Sequence, residues 1–306
     1  MAISVRPGAG EGVDRPRDGD LAGRTRRRNR RAAGFTHLWL LLGVLVFAFP
    51  IWLTVIGSTH DVSTIGRGDV PLLPGPHAAE NYAQAWGAGG GRYMGVPAGV
   101  MLANSLVMAL LIALGKIAIS LTSAYAVVFF RFPGRMLAFW LIFITLMLPV
   151  EVRIIPTFQV MVALDMINTM QGLVVPLIAS ATATLLFRQF FLTIPDEYVE
   201  AAKIDGAGPL RFFKDVVLPL SVTNIAALFV ILFIYGWNQY LWPLLITTKD
   251  SMQTIVIGIK KMIVTSDALT EWQLAMATAM LAMLPPVLVV VLMQRLFVKG
   301  LVETEK

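Results

Sequence analysis

The sequence predicts an all-α integral membrane protein with six transmembrane helices and both termini in the cytoplasm. Three observations predict it. Of the 306 residues, 57% are hydrophobic and 14% charged, with a mean hydropathy of +0.72; a soluble domain carries about 25% charged residues. Six apolar stretches are long enough to cross a bilayer core. Basic residues concentrate in the segments that such a topology places inside.

Residues 1–34 hold nine arginines against four acids. They are too polar to bury a core and are expected to form a disordered cytoplasmic tail ahead of a transmembrane domain over 35–306. The apolar run that follows is too long for the core of a cleaved signal peptide, and no A-x-A site ends it. The net charge of +6 comes mostly from this tail. It is a topology signal and does not point to nucleic acid.

The first span, 35–56, is about 33 Å long as a helix. The others are expected at 103–130, 136–164, 172–191, 221–247 and 272–298, the third interrupted by Pro149 and Pro156. The short loop with Arg131 and Arg135 falls inside, as do Arg295 and Lys299 near the C-terminus. The outer segment 58–101 has two basic and three acidic residues, and 77–86 within it reads as a small amphipathic helix lying at the membrane surface. Cysteine is absent, so thiolate chemistry is excluded. The three histidines, His37, His60 and His77, are scattered, which argues against a metal site. No catalytic Ser/His/Asp or paired-carboxylate arrangement is readable.

The inner loop 188–220 has four basic and five acidic residues. A loop lying on the membrane would be basic; this one is long and balanced, as a surface for another protein would be. Pro195 suits the first turn of a helix, and Asp196 and Glu197 its positive end. Glu200 and Lys203 are spaced as an i,i+3 pair. Ala201 and Ala202 let another surface approach the backbone. Gly206 is a helix stop, Gly208-Pro209 restarts a second short helix, and Leu218-Pro219 ends it before the fifth span. The spacing therefore describes a helical hairpin, with or without a partner.

Glu200-Ala201-Ala202, three residues, Gly206, nine residues, then Val216-x-Leu218-Pro219 resembles the EAA loop of ABC importer permeases. Val216 stands where that family usually has isoleucine. The stretch "WNQYLWPLLIT" (237–247) is similar to the carbohydrate-uptake branch, relatives of the second subunit of the maltose permease. "RFPGRMLAFWLIFITLMLPVEVRIIPTFQV" and "ASATATLLFRQFF" resemble the permeases of sn-glycerol-3-phosphate importers. The resemblance runs from about residue 35 to the C-terminus and leaves the Arg-rich tail as an extra.

This resemblance implies a type I ABC importer permease (MetI-like) fold in a bacterial inner membrane. It implies a heterodimer with a homologous second permease subunit, two ATPase subunits beneath it, and a periplasmic substrate-binding protein above. Glu200, Ala201, Ala202, Asp205, Gly206, Leu218 and Pro219 would couple the chain to the ATPase. ATP and magnesium would be bound by that partner, leaving no cofactor and no enzyme activity in this chain. Independently, the sequence has no G-x-x-x-x-G-K-[ST] phosphate loop. The expected substrate is sn-glycerol 3-phosphate or a glycerophosphodiester. A sugar or oligosaccharide is the alternative within the class, and an ion-gradient-driven transporter the alternative outside it. The latter would want internal repeats and several midplane carboxylates, and Glu151 is the only acid within the spans.

Lys116, Glu151 and Arg153 fall inside spans, where ionisable groups are costly unless they face a cavity or one another. Two readings stand: a polar path whose cations attract a phosphate ester, or a buried ion pair to Glu151. Tyr235, Asn238 and Trp242 would share one face of the fifth span. Asn238 and Trp242 are accordingly candidates for the translocation path.

Overall fold

The computed structural model describes residues 18–68, 71–87, 96–147, 150–264 and 270–303, with the side chains of 18–34, 146–147, 150–151, 264 and 295–303 outside the description. Among the described residues every regular element is helical.

Helix α1, Asp18–Gly57, contains the first apolar run. Its backbone is already helical at Asp18, within the stretch expected to be disordered; residues 1–17 lie outside the described residues. The physical reason is propagation: once the span is helical, each added residue gains a hydrogen bond, and Arg and Ala are good helix formers.

From Thr54 onward the chain forms one unit. Helix α2 (Val62–Gly66) starts at Asp61, whose side chain accepts from the Ser63 N–H. Hydrogen bonds from the Ser63 and Thr64 hydroxyls hold the Asp61 carboxyl well below the usual carboxylate range. Helix α3 (Ala78–Gly87) does not lie free at the membrane surface. It buries Asn81 and Ala85 and packs against α15 (Trp272–Glu303) and α4 (Ala98–Phe129). The Asn81 side-chain amide donates to the carbonyls of Ser58 (2.9 Å) and His60 (2.8 Å). That bond pair captures α3, because a buried amide left unpaired would cost about 1–3 kcal/mol.

Helix α4 is the spine of the unit. It packs against α8 (Ala181–Phe191) and α12 (Val222–Trp237), and α12 packs in turn on α15. Small residues bring α4 and α12 together: a Cβ on Gly236 would sit 3.0 Å from the Ala109 Cα. Close helix approach through small side chains is what holds helices together where lipid removes the hydrophobic drive. Phe187, Phe233 and Trp237 fill the space around these contacts.

The expected third span appears as two helices, α5 (Arg135–Met147) and α6 (Val150–Ala163). The fourth is bent by 48° between α7 (Met170–Val174, continued by a 3-10 turn to Leu177) and α8. Among the described residues three helices are individually long and apolar enough to cross a membrane, and up to five spans result if each bent pair counts as one.

The inner loop folds as α9 (Asp196–Ile204) and α10 (Pro209–Phe212). A π-turn over Phe213–Val217 then leads into α11 (Leu218–Leu220). Leu218-Pro219 therefore does not end the second helix; the helical path continues to Leu220 and then bends by 71° into α12. The π-turn explains the tolerance. It shifts the hydrogen-bond register just before Pro219, whose missing N–H and bulky ring would otherwise face the Asp215 carbonyl.

The expected fifth span over 221–247 is likewise divided. Helix α12 ends at Trp237, and α13 (Leu241–Ile246) begins after Tyr240. Helix α14 (Ile255–Val264) follows and packs on α15 and α4. The segment before it is tied to α4: the Asn104 amide donates to the Ser251 (2.8 Å) and Gln253 (3.0 Å) carbonyls, and the Ile255 N–H donates to Ser105 Oγ (2.9 Å).

Candidate functional site

A cavity of about 710 Å³ opens between α4, α5, α6, the α7–α8 connection and α12. That volume lies within the usual range for a small-molecule site. Lys116 enters it from α4, Arg153 from α6 and Tyr235 from α12, with hydroxyls from Thr145, Ser180 and Thr182. Lys116 is only 7% exposed, and its Nζ lies 3.8 Å from the centre of the Tyr235 ring. Arg153 is exposed.

The wall near Lys116 is fixed locally by Ser180. Its hydroxyl accepts from the Ala183 N–H at the start of α8 (3.3 Å), and its carbonyl accepts from Ser120 Oγ (3.2 Å) and Thr184 Oγ1 (2.9 Å). The polar break "ASATAT" in an apolar stretch was the signal for this turn, and sequence reasoning did not place it in the site.

Among the described residues, no acid lines the cavity and neither Lys116 nor Arg153 forms an ion pair. Two like charges on one low-dielectric cavity give a field that attracts anions. The alternative of a structural pair turns on Glu151, which lies on the α6 backbone with its side chain outside the described residues.

The remaining candidates separate. Tyr235, Asn238 and Trp242 do not share a helix face, because α12 ends between them. Asn238 caps α12 and is exposed. Trp242 is buried, and its indole N–H donates to the Gly172 carbonyl (3.1 Å). It packs with Leu173 and Ile246 and so pins α13 against α7.

The hairpin forms a second site. Gly206 has φ of +69°, the left-handed conformation that glycine adopts without a steric cost. The Ala207 N–H reaches the Ala202 carbonyl (2.8 Å) and the Gly206 N–H the Lys203 carbonyl (3.1 Å). This is a Schellman stop with Asp205 as the last half-helical residue. Glu200, Ala201, Asp205 and Gly206 are all exposed, whereas Ala202 is half-buried against the core. Glu200 and Lys203 make no ion pair among the described residues. Two apolar side chains flank the turn in full view, Ile204 at 85% and Leu210 at 80% exposure.

Behind the turn the hairpin is anchored. The Tyr125 hydroxyl, from α4, donates to the Pro209 carbonyl (2.7 Å), and the Tyr125 ring meets those of Phe129, Phe130, Phe212 and Phe213. Val217 is fully buried and Leu218 packs on the same core. The arrangement is a bracket with a firm base and an exposed apolar tip.

The profile of the binding-protein-dependent transport system inner membrane component family matches residues 95–303. The chain belongs to this family. Proteins of similar sequence include the sn-glycerol-3-phosphate transport system permease proteins UgpE of Brucella melitensis and Agrobacterium fabrum. Each is 62% identical over 270 residues, covering 88% of this chain and 96% of the relative. The UgpE protein of Yersinia pestis is 57% identical over 279 residues, covering 91% of this chain and 99% of its own. A solved structure of a bacterial ABC transporter involved in the import of the acidic polysaccharide alginate superposes with a TM-score of 0.75. It is 21% identical and the match covers 88% of this chain and 97% of that one; the likeness shows the shared fold. This family member is thus an inner-membrane transport component with a MetI-like helical fold, as the EAA-type loop implied.

Proposed function

We propose that this chain is the permease subunit of an ATP-driven importer for sn-glycerol 3-phosphate, with glycerophosphodiesters as chemically close cargo. The observation that carries the reading is the cavity with Lys116 and Arg153 and no described acid in its wall. A phosphate ester supplies the missing negative charge, and the Ser and Thr hydroxyls suit its glycerol end. The substrate named for the relatives agrees with this chemistry.

In this reading Lys116 and Arg153 line the translocation path, with Glu151 beside Arg153 on α6 and Asn238 at the end of α12. Trp242 supports the path from the packing behind it. The chain crosses the inner membrane six times, α5 with α6 making the third crossing, and keeps both termini in the cytoplasm. It pairs with a homologous second permease subunit. A periplasmic binding protein delivers the substrate, and two ATPase subunits bind ATP and magnesium and hydrolyse the nucleotide. Glu200, Ala201, Ala202, Asp205 and Gly206 present the coupling surface, and Leu218 and Pro219 carry its movement into α12. Closure of the ATPase pair moves the hairpin as a rigid body and turns the cavity outward; hydrolysis resets it inward.

The test is uptake of labelled sn-glycerol 3-phosphate by cells lacking this gene and all other carriers for that ester, with the partner subunits expressed. Restoring the gene should restore uptake, and Lys116→Met should abolish most of it at normal membrane abundance. Absence of uptake with the wild-type protein present refutes the substrate and turns attention to sugars.

A further inference from the structure

We propose that Tyr235 is a specificity-determining residue for the anionic cargo: its ring holds the Lys116 ammonium in place without occupying the donors that bind phosphate. The inference rests on the reading of the cavity as the path for a phosphate ester.

A buried cation needs a partner, since desolvation without one costs several kcal/mol. The usual partner is a carboxylate. Here Lys116 Nζ sits over the face of the Tyr235 ring, 3.8 Å from its centre, and among the described residues no hydrogen bond or ion pair uses the ammonium. The difference matters for an anion site. A carboxylate would compete with an incoming phosphate for the same N–H donors and would have to be displaced. An aromatic face attracts the charge through its quadrupole and leaves the donors free to point elsewhere. Lys116 and Tyr235 both line the cavity, so the open side of the ammonium is where a ligand would lie. The two residues come from α4 and α12, which pack closely through Gly236 and Ala109 about one residue from Tyr235 along α12. That contact adjoins Tyr235 on α12 and lies seven residues before Lys116 on α4, so the relative position of the two helices sets whether ring and ammonium meet.

The test uses the assembled transporter in proteoliposomes, with labelled sn-glycerol 3-phosphate as the probe and initial rates over a range of concentrations. Tyr235→Phe keeps the ring and should hold KM within about twofold of wild type. Tyr235→Leu should raise KM about thirtyfold, the usual scale of a desolvated cation–π contact. Because the Leu variant also alters packing, 3,4,5-trifluorophenylalanine at position 235 provides the isosteric control: it keeps the ring shape, weakens the quadrupole, and should raise KM relative to phenylalanine. Combining Tyr235→Leu with Lys116→Met should give no greater defect than Lys116→Met alone.

Equal KM for the phenylalanine and trifluorophenylalanine proteins, or additive defects in the double variant, overturns the role of the ring while leaving the path reading intact. Absence of phosphate-ester transport by the wild-type complex overturns both.

Discussion

Replacing Gly206 separates what the turn needs from what the partner needs. The φ of +69° costs a residue with a Cβ about 1–2 kcal/mol, and asparagine, which visits this region more readily, less. Beyond its two chain neighbours nothing lies within 4 Å of the position a Cβ would take, so within this chain the cost is conformational alone. The cost falls on the Schellman turn and the end of α9, where about 1.4 kcal/mol is a tenfold change in the population of the formed turn. The expected order of uptake per membrane-inserted permease is therefore Gly, Asn, Ala, then Val, with Val the weakest because β-branching disfavours positive φ most. Hydrogen exchange of the amides at 206 and 207, read on the assembled transporter, should speed up in the same order. The reasoning is refuted if Gly206→Asn fails as completely as Gly206→Val with normal abundance and unchanged exchange. Glycine would then be required because another surface occupies the open space, not because of its backbone angle.

Two further changes probe the supports of the two sites. Tyr125→Phe keeps the aromatic cluster and removes one hydrogen bond to Pro209, worth about 1 kcal/mol; uptake per ATP hydrolysed should fall while the melting temperature of the complex hardly moves. Gly236→Ala places a methyl 3.0 Å from the Ala109 Cα. The helices must separate at a cost of about 1–3 kcal/mol, read as a drop in melting temperature, and a companion Ala109→Gly should restore only part of it because the clash is with backbone.

The parts of this molecule that follow from local chemistry were legible in the sequence. The hairpin stop at Gly206 and restart at Pro209 need only a glycine that accepts positive φ and a proline at a first turn. The long helices α4 and α15 need only a long, dominantly apolar run, which Lys116 in one and Pro285-Pro286 in the other do not end. What was not legible depends on neighbours. Asn81 looks like a surface residue of an amphipathic helix until the Ser58 and His60 carbonyls are seen to claim its amide. The break after Trp237 has no proline or glycine at the stop itself, so an apolar run was read through it as one helix. In the candidate site, Lys116 and Arg153 stood out because charge in a membrane is conspicuous. Tyr235 is singled out in the sequence only as sharing a face with Asn238 and Trp242; an aromatic residue in a span has many uses, and only the fold shows which cation its face meets.

The geometry also connects the two sites. Helix α4 carries Lys116 in the cavity and, nine residues on and so about 14 Å along the axis, Tyr125, which holds the base of the hairpin. Helix α12 carries Tyr235 and is reached from the hairpin through the 71° bend at Ser221. Tyr235 lies fourteen residues beyond that bend, about 21 Å away along the helix. A tilt of α12 by about 10° at the bend would therefore carry the Tyr235 ring roughly 4 Å, a rigid-body step of ordinary size for a switching protein. That displacement equals the whole separation between the ring and the Lys116 ammonium, 3.8 Å. A tilt of that size would be enough to make or break the contact proposed to ready the cation for an anion. In this proposal the bend at Ser221, and not the exposed tip alone, sets how much movement of the hairpin reaches the cavity.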